Sequence, residues 1–202
     1  AEVSGSIQGD PNRKLSTRPQ MEKDEWDGFC NKISEMGKYL EDQGMPLAYH
    51  HHMGTIIETQ RDTERLLDNT HDSVKLTLDT GHMLFAKGDS KSILENYNER
   101  LFHVHCKDIR KDVLEKSLKE NLSFRAAFLE GAFTVPGDGC INYEPLFEVL
   151  KKNSYSGWLV VEAEQDPAKA NPFEYAIIGY KYLTETLSCL LYTSPSPRDD
   201  CP

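Results

Sequence analysis

The 202-residue sequence contains no apolar run near the roughly 20 residues needed to cross a bilayer, and no basic-then-apolar leader opens it. These absences predict a cytoplasmic chain with no membrane partner. Basic charge is scarce as well: 23 Lys and Arg against 33 Asp and Glu leave a formal charge of -10, with no Lys/Arg cluster longer than a pair. Nothing supplies the positive footprint that phosphate-backbone binding requires, so nucleic acid is excluded as the expected partner. Cysteine is sparse and unpatterned; no CxxC pair occurs, which argues against a disulfide framework and for a reducing compartment. No GxGxxG or P-loop opens a helix, which removes the main support for a doubly wound nucleotide-binding fold.

What is present is enough for one sizeable core, with 38% hydrophobic residues and no compositional bias toward disorder. The two ends stand apart. The stretch before Met21 has little periodicity, and part of a longer domain is expected upstream of Ala1. The segment from Cys189 to Asp199, CLLYTSPSPRD, reads as a translated sequencing adaptor. Residues 1–187 are therefore expected to form the domain and 188–202 a non-native tail.

Between the ends two periods alternate. Trp26, Phe29, Ile33, Met36 and Leu40 recur at helical spacing, with Gly44 past the end. PLAYHHHMG then reads as a strand and loop, and 62–69 as a helix. KLTLDTGH, LFHVHCKD and GWLVVEAE repeat the strand pattern, with a remnant of an earlier strand near Val3 to Ile7. Helices are expected after the Asp89 cap, over 112–121, after Asn142 with Leu146, Phe147 and Leu150 buried, and after Asn171-Pro172 with Phe173, Ala176, Ile177, Tyr180 and Leu183 as the apolar line. A long connection runs through VPGDG. Strands alternating with helices imply βαβ units and a parallel sheet, and a barrel is the better candidate for it.

Side chains two apart on a strand share a face. One parity is apolar: Leu47 and Tyr49, Leu76 and Leu78, Phe102, Val104 and Cys106, Leu159, Val161 and Ala163. The opposite parity, at the strand C-termini, holds His50 and His52, Asp79, His105 and Lys107, and Glu162 and Glu164. In an α/β barrel those ends form the active-site face. Imidazoles and carboxylates converging there suit a divalent ion, and His50, Asp79, His105 and Glu162 are the expected ligands. Lys107 and Asp108 read alternatively as a solvated pair, and VPGDG as an ordinary turn or a loop over the pocket.

YHHHMGT, LDTGH, HVHCKDIRKD, FTVPGDG and GWLVVEAEQDPAKANP, in this order, resemble the inosose dehydratases of the xylose isomerase-like barrel superfamily over about Asp24 to Leu187. LDTGH and HVHxKD recur across the superfamily's isomerases, epimerases and dehydratases, whereas the other segments are more specific. The resemblance implies an α/β fold that is the C-terminal portion, four to five βα units, of a (β/α)8 TIM barrel. It implies elimination of water from 2-keto-myo-inositol to a trihydroxycyclohexane-dione in myo-inositol catabolism, with Mn or Co as the metal and a glutathione requirement. The superfamily's ligands fall on Asp79, His105 and Glu162. Its first ligand, commonly Glu, falls on His50, with His52 and Glu58 as alternatives. His82 and Lys107 fall on substrate-contacting positions.

Dehydration α,β to a ketone needs a base within reach of the α-proton, for which His52, Lys107 and Glu164 are candidates, and Glu162 if it is not committed to metal; His82 is the first choice of acid. Three alternatives stand beside this reading. The first is isomerase or epimerase chemistry on a ketose, and the second an endonuclease, disfavoured by the acidic charge. The third is an inactive fragment whose open sheet edges drive homo-oligomerisation.

Overall fold

The computed structural model describes the backbone of residues 5–192 and side chains through residue 188. Most of the expected tail and half of the Val3 to Ile7 strand lie outside the described residues. Gly5 to Ile7 form no strand, although Ile7 is fully buried and donates its N–H to Gly54 O at 3.0 Å.

Trp26, Cys30, Ile33 and Gly37 form the buried line of α1 (Lys23–Asp42). Met36, expected in that line, is exposed. The phase is set by Gly37, which an apolar periodicity does not register: a Cβ there would stand 2.9 Å from Ser73 Oγ, so its absence lets the helix lie against the next-but-one strand. β1 (Leu47–His50) follows, then α2 (Gln60–Asp68), opened by a reciprocal capping box between Thr59 and Asp62. β2 (Val74–Asp79) runs directly into α3 (Thr80–Phe85), and α4 (Ser90–Asn96) begins on the Asp89 side chain as expected. β3 (Leu101–Cys106) leads into a short hairpin of β4 (Asp108–Ile109) and β5 (Phe133–Thr134), which encloses α5 (Lys111–Lys119) and α6 (Phe124–Leu129). α7 (Glu144–Lys152), β6 (Trp158–Val161) and α8 (Pro172–Tyr192) complete the order.

The four longer strands form one parallel sheet in the order β1-β2-β3-β6. Leu76, Leu78, Val104 and Cys106 project from its helix side into a core with Ile93, Leu94, Leu146, Phe147 and Leu150. Phe102, assigned to that side, is 43% exposed. A second cluster, with Phe85, Ile109, Phe124 and Phe133, packs the inserted α5–α6 segment against α3. In α8 the expected apolar line holds at Leu183, which is buried, and fails at Phe173, Ala176, Ile177 and Tyr180, which are exposed, while Gly179 is buried. Gly179 again fixes the phase, since a Cβ there would meet Val161 Cγ1 at 2.6 Å.

Arg100 is a buried charge that periodicity does not reveal. Its guanidinium donates to Val74 O at 2.9 and 2.7 Å, Leu67 O at 2.8 Å, His71 O at 3.1 Å and Thr70 Oγ1 at 2.8 Å. It thereby gives a charged donor to carbonyls at the end of α2 and the start of β2.

Candidate active site

Register delivers the site. Asp79 pairs with His105 across β2 and β3, and His105 with Val160 across β3 and β6. The parallel strands therefore end level, with His52, Lys107, Glu162 and Glu164 in the first residues beyond them. Asp79 is fully buried and works in two directions. Its Oδ1 accepts the His82 N–H at 2.9 Å, capping α3, while Oδ2 lies 3.4 Å from His50 Nε2, 3.5 Å from His105 Nδ1 and 3.3 Å from Lys107 Nζ. The cap and the site are thus not alternatives.

Asp79, His105 and Glu162 offer donor atoms within 4.8 Å of one another, as do His50, Asp79 and His82. His105 Nδ1 and Glu162 Oε2, both buried, form an ion pair at 2.6 Å whose angles are poor for a hydrogen bond. An imidazole and two carboxylates converging at the strand ends make a mixed N/O set, which fits a divalent cation in place of the proton that the pair shares. Burial works against charge on His105, but the neighbouring Asp79 and Glu162 carboxylates overcome it and raise its pKa to about 9. Without a metal, that imidazole is therefore held as a cation. Glu58 is not part of this group: its carboxylate accepts the Gly54 N–H at 2.6 Å and sits 3.4 Å from Arg18 Nε.

A second group adjoins the first. His52, His82 and Glu164 also bring ligand atoms within 4.8 Å. Lys107 reaches into it, with Nζ 2.9 Å from Glu164 Oε2, 3.0 Å from His82 Nε2 and 3.3 Å from Glu162 Oε1. Burial disfavours the Lys107 ammonium, but Asp79, Glu164 and Glu162 hold it protonated, above the ordinary lysine range. Glu164, penalised by burial, is held ionised by His52, His82 and Lys107. His82 is sealed, and burial drives its pKa well down, so it is neutral.

Several supporting residues are not visible as site residues in the sequence. His51 points the opposite way from its neighbours and is fully buried; its Nε2 accepts the Asp79 N–H at 3.1 Å. Thr80 Oγ1 donates to Lys107 O at 2.7 Å and accepts the Lys107 N–H at 3.1 Å, while Tyr143 OH donates to Lys107 O at 3.0 Å. This clamp fixes the backbone that carries both His105 and Lys107. Phe124 and Phe133, from the inserted segment, lie against the rings of His52 and His82 at centroid distances of 5.4 and 5.0 Å. The adjacency of LDT to HVHCKD could have suggested Thr80, but nothing local announces Tyr143 or the two phenylalanines.

Lys107 and Asp108 are no solvated pair: both are fully buried. Asp108 Oδ1 accepts the N–H groups of Ile109 at 2.7 Å and Ile141 at 2.9 Å, tying the VPGDG segment to the end of β3. Gly139 lies directly on that carboxylate, and Gly137, at φ +89°, packs on the Tyr182 ring. The segment is an anchored turn, and the glycines are required by contact and by backbone angle.

Parallel βαβ units with ionisable side chains gathered at the C-terminal mouth of the sheet define the class, an α/β barrel with its site at the strand ends. The chain belongs to the xylose isomerase-like TIM barrel family, whose model matches residues 4–185. It is 46% identical over 187 residues to an inosose dehydratase of Clostridium beijerinckii (strain ATCC 51743 / NCIMB 8052), covering 92% of this chain and 63% of that protein. It is 43% identical over 188 residues to an inosose dehydratase of Bacillus velezensis (strain DSM 23117 / BGSC 10A6 / LMG 26770 / FZB42), covering 93% and 63%. The chain thus spans somewhat under two thirds of these relatives' length. Among solved structures, the IOLI protein with a bound zinc atom shares the fold at a TM-score of 0.64 and 18% identity, over 85% of this chain and 60% of that one. Among the described residues no helix is long and apolar enough to cross a membrane.

Proposed function

We propose that this protein is a divalent-metal-dependent hydro-lyase that removes water from a small polyol ketone, 2-keto-myo-inositol, to give a trihydroxycyclohexane-dione. The observation that carries the reading is the converging donor set of Asp79, His105 and Glu162, on a chain 41–46% identical to inosose dehydratases. Within it the four parallel strands are the C-terminal βα units of a closed barrel. Asp79, His105 and Glu162, with His50 as the fourth donor, would hold the metal, Mn or Co. Such an ion supplies Lewis-acid polarisation of the ketone.

The protein's own groups divide the proton work. His52 Nδ1 lies 2.8 Å from Met53 O and 2.7 Å from the Gln8 amide nitrogen, contacts that fix the ring's orientation from that side. Its Nε2, 3.6 Å from Glu164, is the atom offered to the α-proton. As that proton leaves, the C–H electron pair forms the new double bond and the β C–O bond breaks. The departing hydroxyl takes a proton from Lys107 and leaves as water. The resulting enol tautomerises to the dione, and Glu164, beside both His52 and Lys107, is placed to pass the proton back. His82 is neutral and sealed, which suits a fixed wall better than an acid.

Incubation of the metal-loaded protein with 2-keto-myo-inositol should yield the dione, read by absorbance and mass, and omission of glutathione tests that requirement. Asp79→Ala should abolish metal binding and turnover together; retention of both would overturn the ligand set, and an epimer in place of the dione would indicate isomerase chemistry instead. The reading places the enzyme in the cytoplasm, and sedimentation tests the expected homo-oligomer.

A further inference from the structure

We infer that the Lys107 ammonium is a built-in second cation, occupying the seat of a second metal ion formed by His52, His82 and Glu164. The inference rests on the metal reading above. Those three side chains present ligand atoms within 4.8 Å of one another, a two-imidazole, one-carboxylate set of the kind that binds divalent transition metals. Lys107 Nζ lies 3.0 Å from the His82 nitrogen and 2.9 Å from the Glu164 oxygen of that set. It also reaches Asp79 Oδ2 and Glu162 Oε1, both at 3.3 Å, so one ammonium balances carboxylates of both groups.

The seat is constructed for this side chain. Gly81 leaves room for its stem, since a Cβ there would be 2.7 Å from Lys107 Cγ, and Thr80 and Tyr143 clamp its backbone. Three carboxylates, Asp79, Glu162 and Glu164, face one ammonium. With neutral imidazoles two negative charges remain, enough for one divalent ion and not for two. The site therefore takes one metal, and the lysine supplies the positive charge of the second position.

Metal content after saturation with Co2+ alone and removal of excess tests this. The wild-type protein should retain about one ion per chain, Lys107→Met about two, and Lys107→Met/Glu164→Gln about one again. Equal content in the wild type and a folded Lys107→Met protein would overturn the inference while leaving the first metal site standing. A wild-type content of two would overturn it without recourse to any variant, and a content of zero would remove the metal reading and this inference together.

Discussion

Gly81→Ala separates the stability of this site from its chemistry. Gly81 is the second residue of α3, at an ordinary helical φ, so alanine suits the backbone and gains up to about 1 kcal/mol of helix propensity. The added methyl, however, would lie 2.7 Å from Lys107 Cγ and 3.0 Å from its Cβ and Cδ. Carbon atoms rest at about 3.5–4 Å, so the lysine stem must retreat by about 1 Å. It has little freedom to do so, being fully buried, clamped by Thr80 and Tyr143, and held at Nζ by Glu164. Overpacking of this kind costs about 1–3 kcal/mol, which leaves a net loss of roughly 0–2 kcal/mol and a fall in Tm of no more than about 8 °C. Turnover should suffer far more, because a shift of about 1 Å in a positioned group costs on the order of 100-fold in rate. Thermal unfolding and kcat for water elimination, measured on the same preparation, decide the matter. A Gly81→Ala protein with wild-type kcat would refute the claim that the lysine is locked.

Arg100→Met should cost roughly 3–5 kcal/mol in urea unfolding, because the carbonyls of Leu67, His71 and Val74 lose a charged donor in a buried place; a loss below about 1 kcal/mol would show that water replaces it. Glu58 provides a pH test. Burial, opposed by the Gly54 N–H and Arg18, raises its pKa from 4.5 to about 7, so the folded state binds more protons than the unfolded one between those values. Stability should therefore fall as pH rises from about 4.5 to about 7, by at most about 3 kcal/mol from this group, and Glu58→Gln should flatten that slope. An unchanged slope would mean that the carboxyl is ionised at its ordinary pKa.

The chemistry was legible in the sequence because strand geometry is simple. A period of two places His50, Asp79, His105 and Glu162 on one face, and level parallel strands bring that face together without any long-range knowledge. The same period, run past the strand ends, reached His52, Lys107 and Glu164. It told nothing of their distances to His82, or that Glu58 turns away to Gly54 and Arg18. Helix phase failed wherever a glycine made the closest contact, at Gly37 and Gly179, since a residue without a side chain contributes nothing to an apolar pattern.

The sequence alone determined which side chains reach the mouth of the sheet, because alternation along an extended chain is a local property. Only the tertiary structure decided what they do there. The charge on Lys107, the neutrality of His82 and the ion pair between His105 and Glu162 depend on distances of about 3 Å between residues from separate strands, and on burial that removes water from around them.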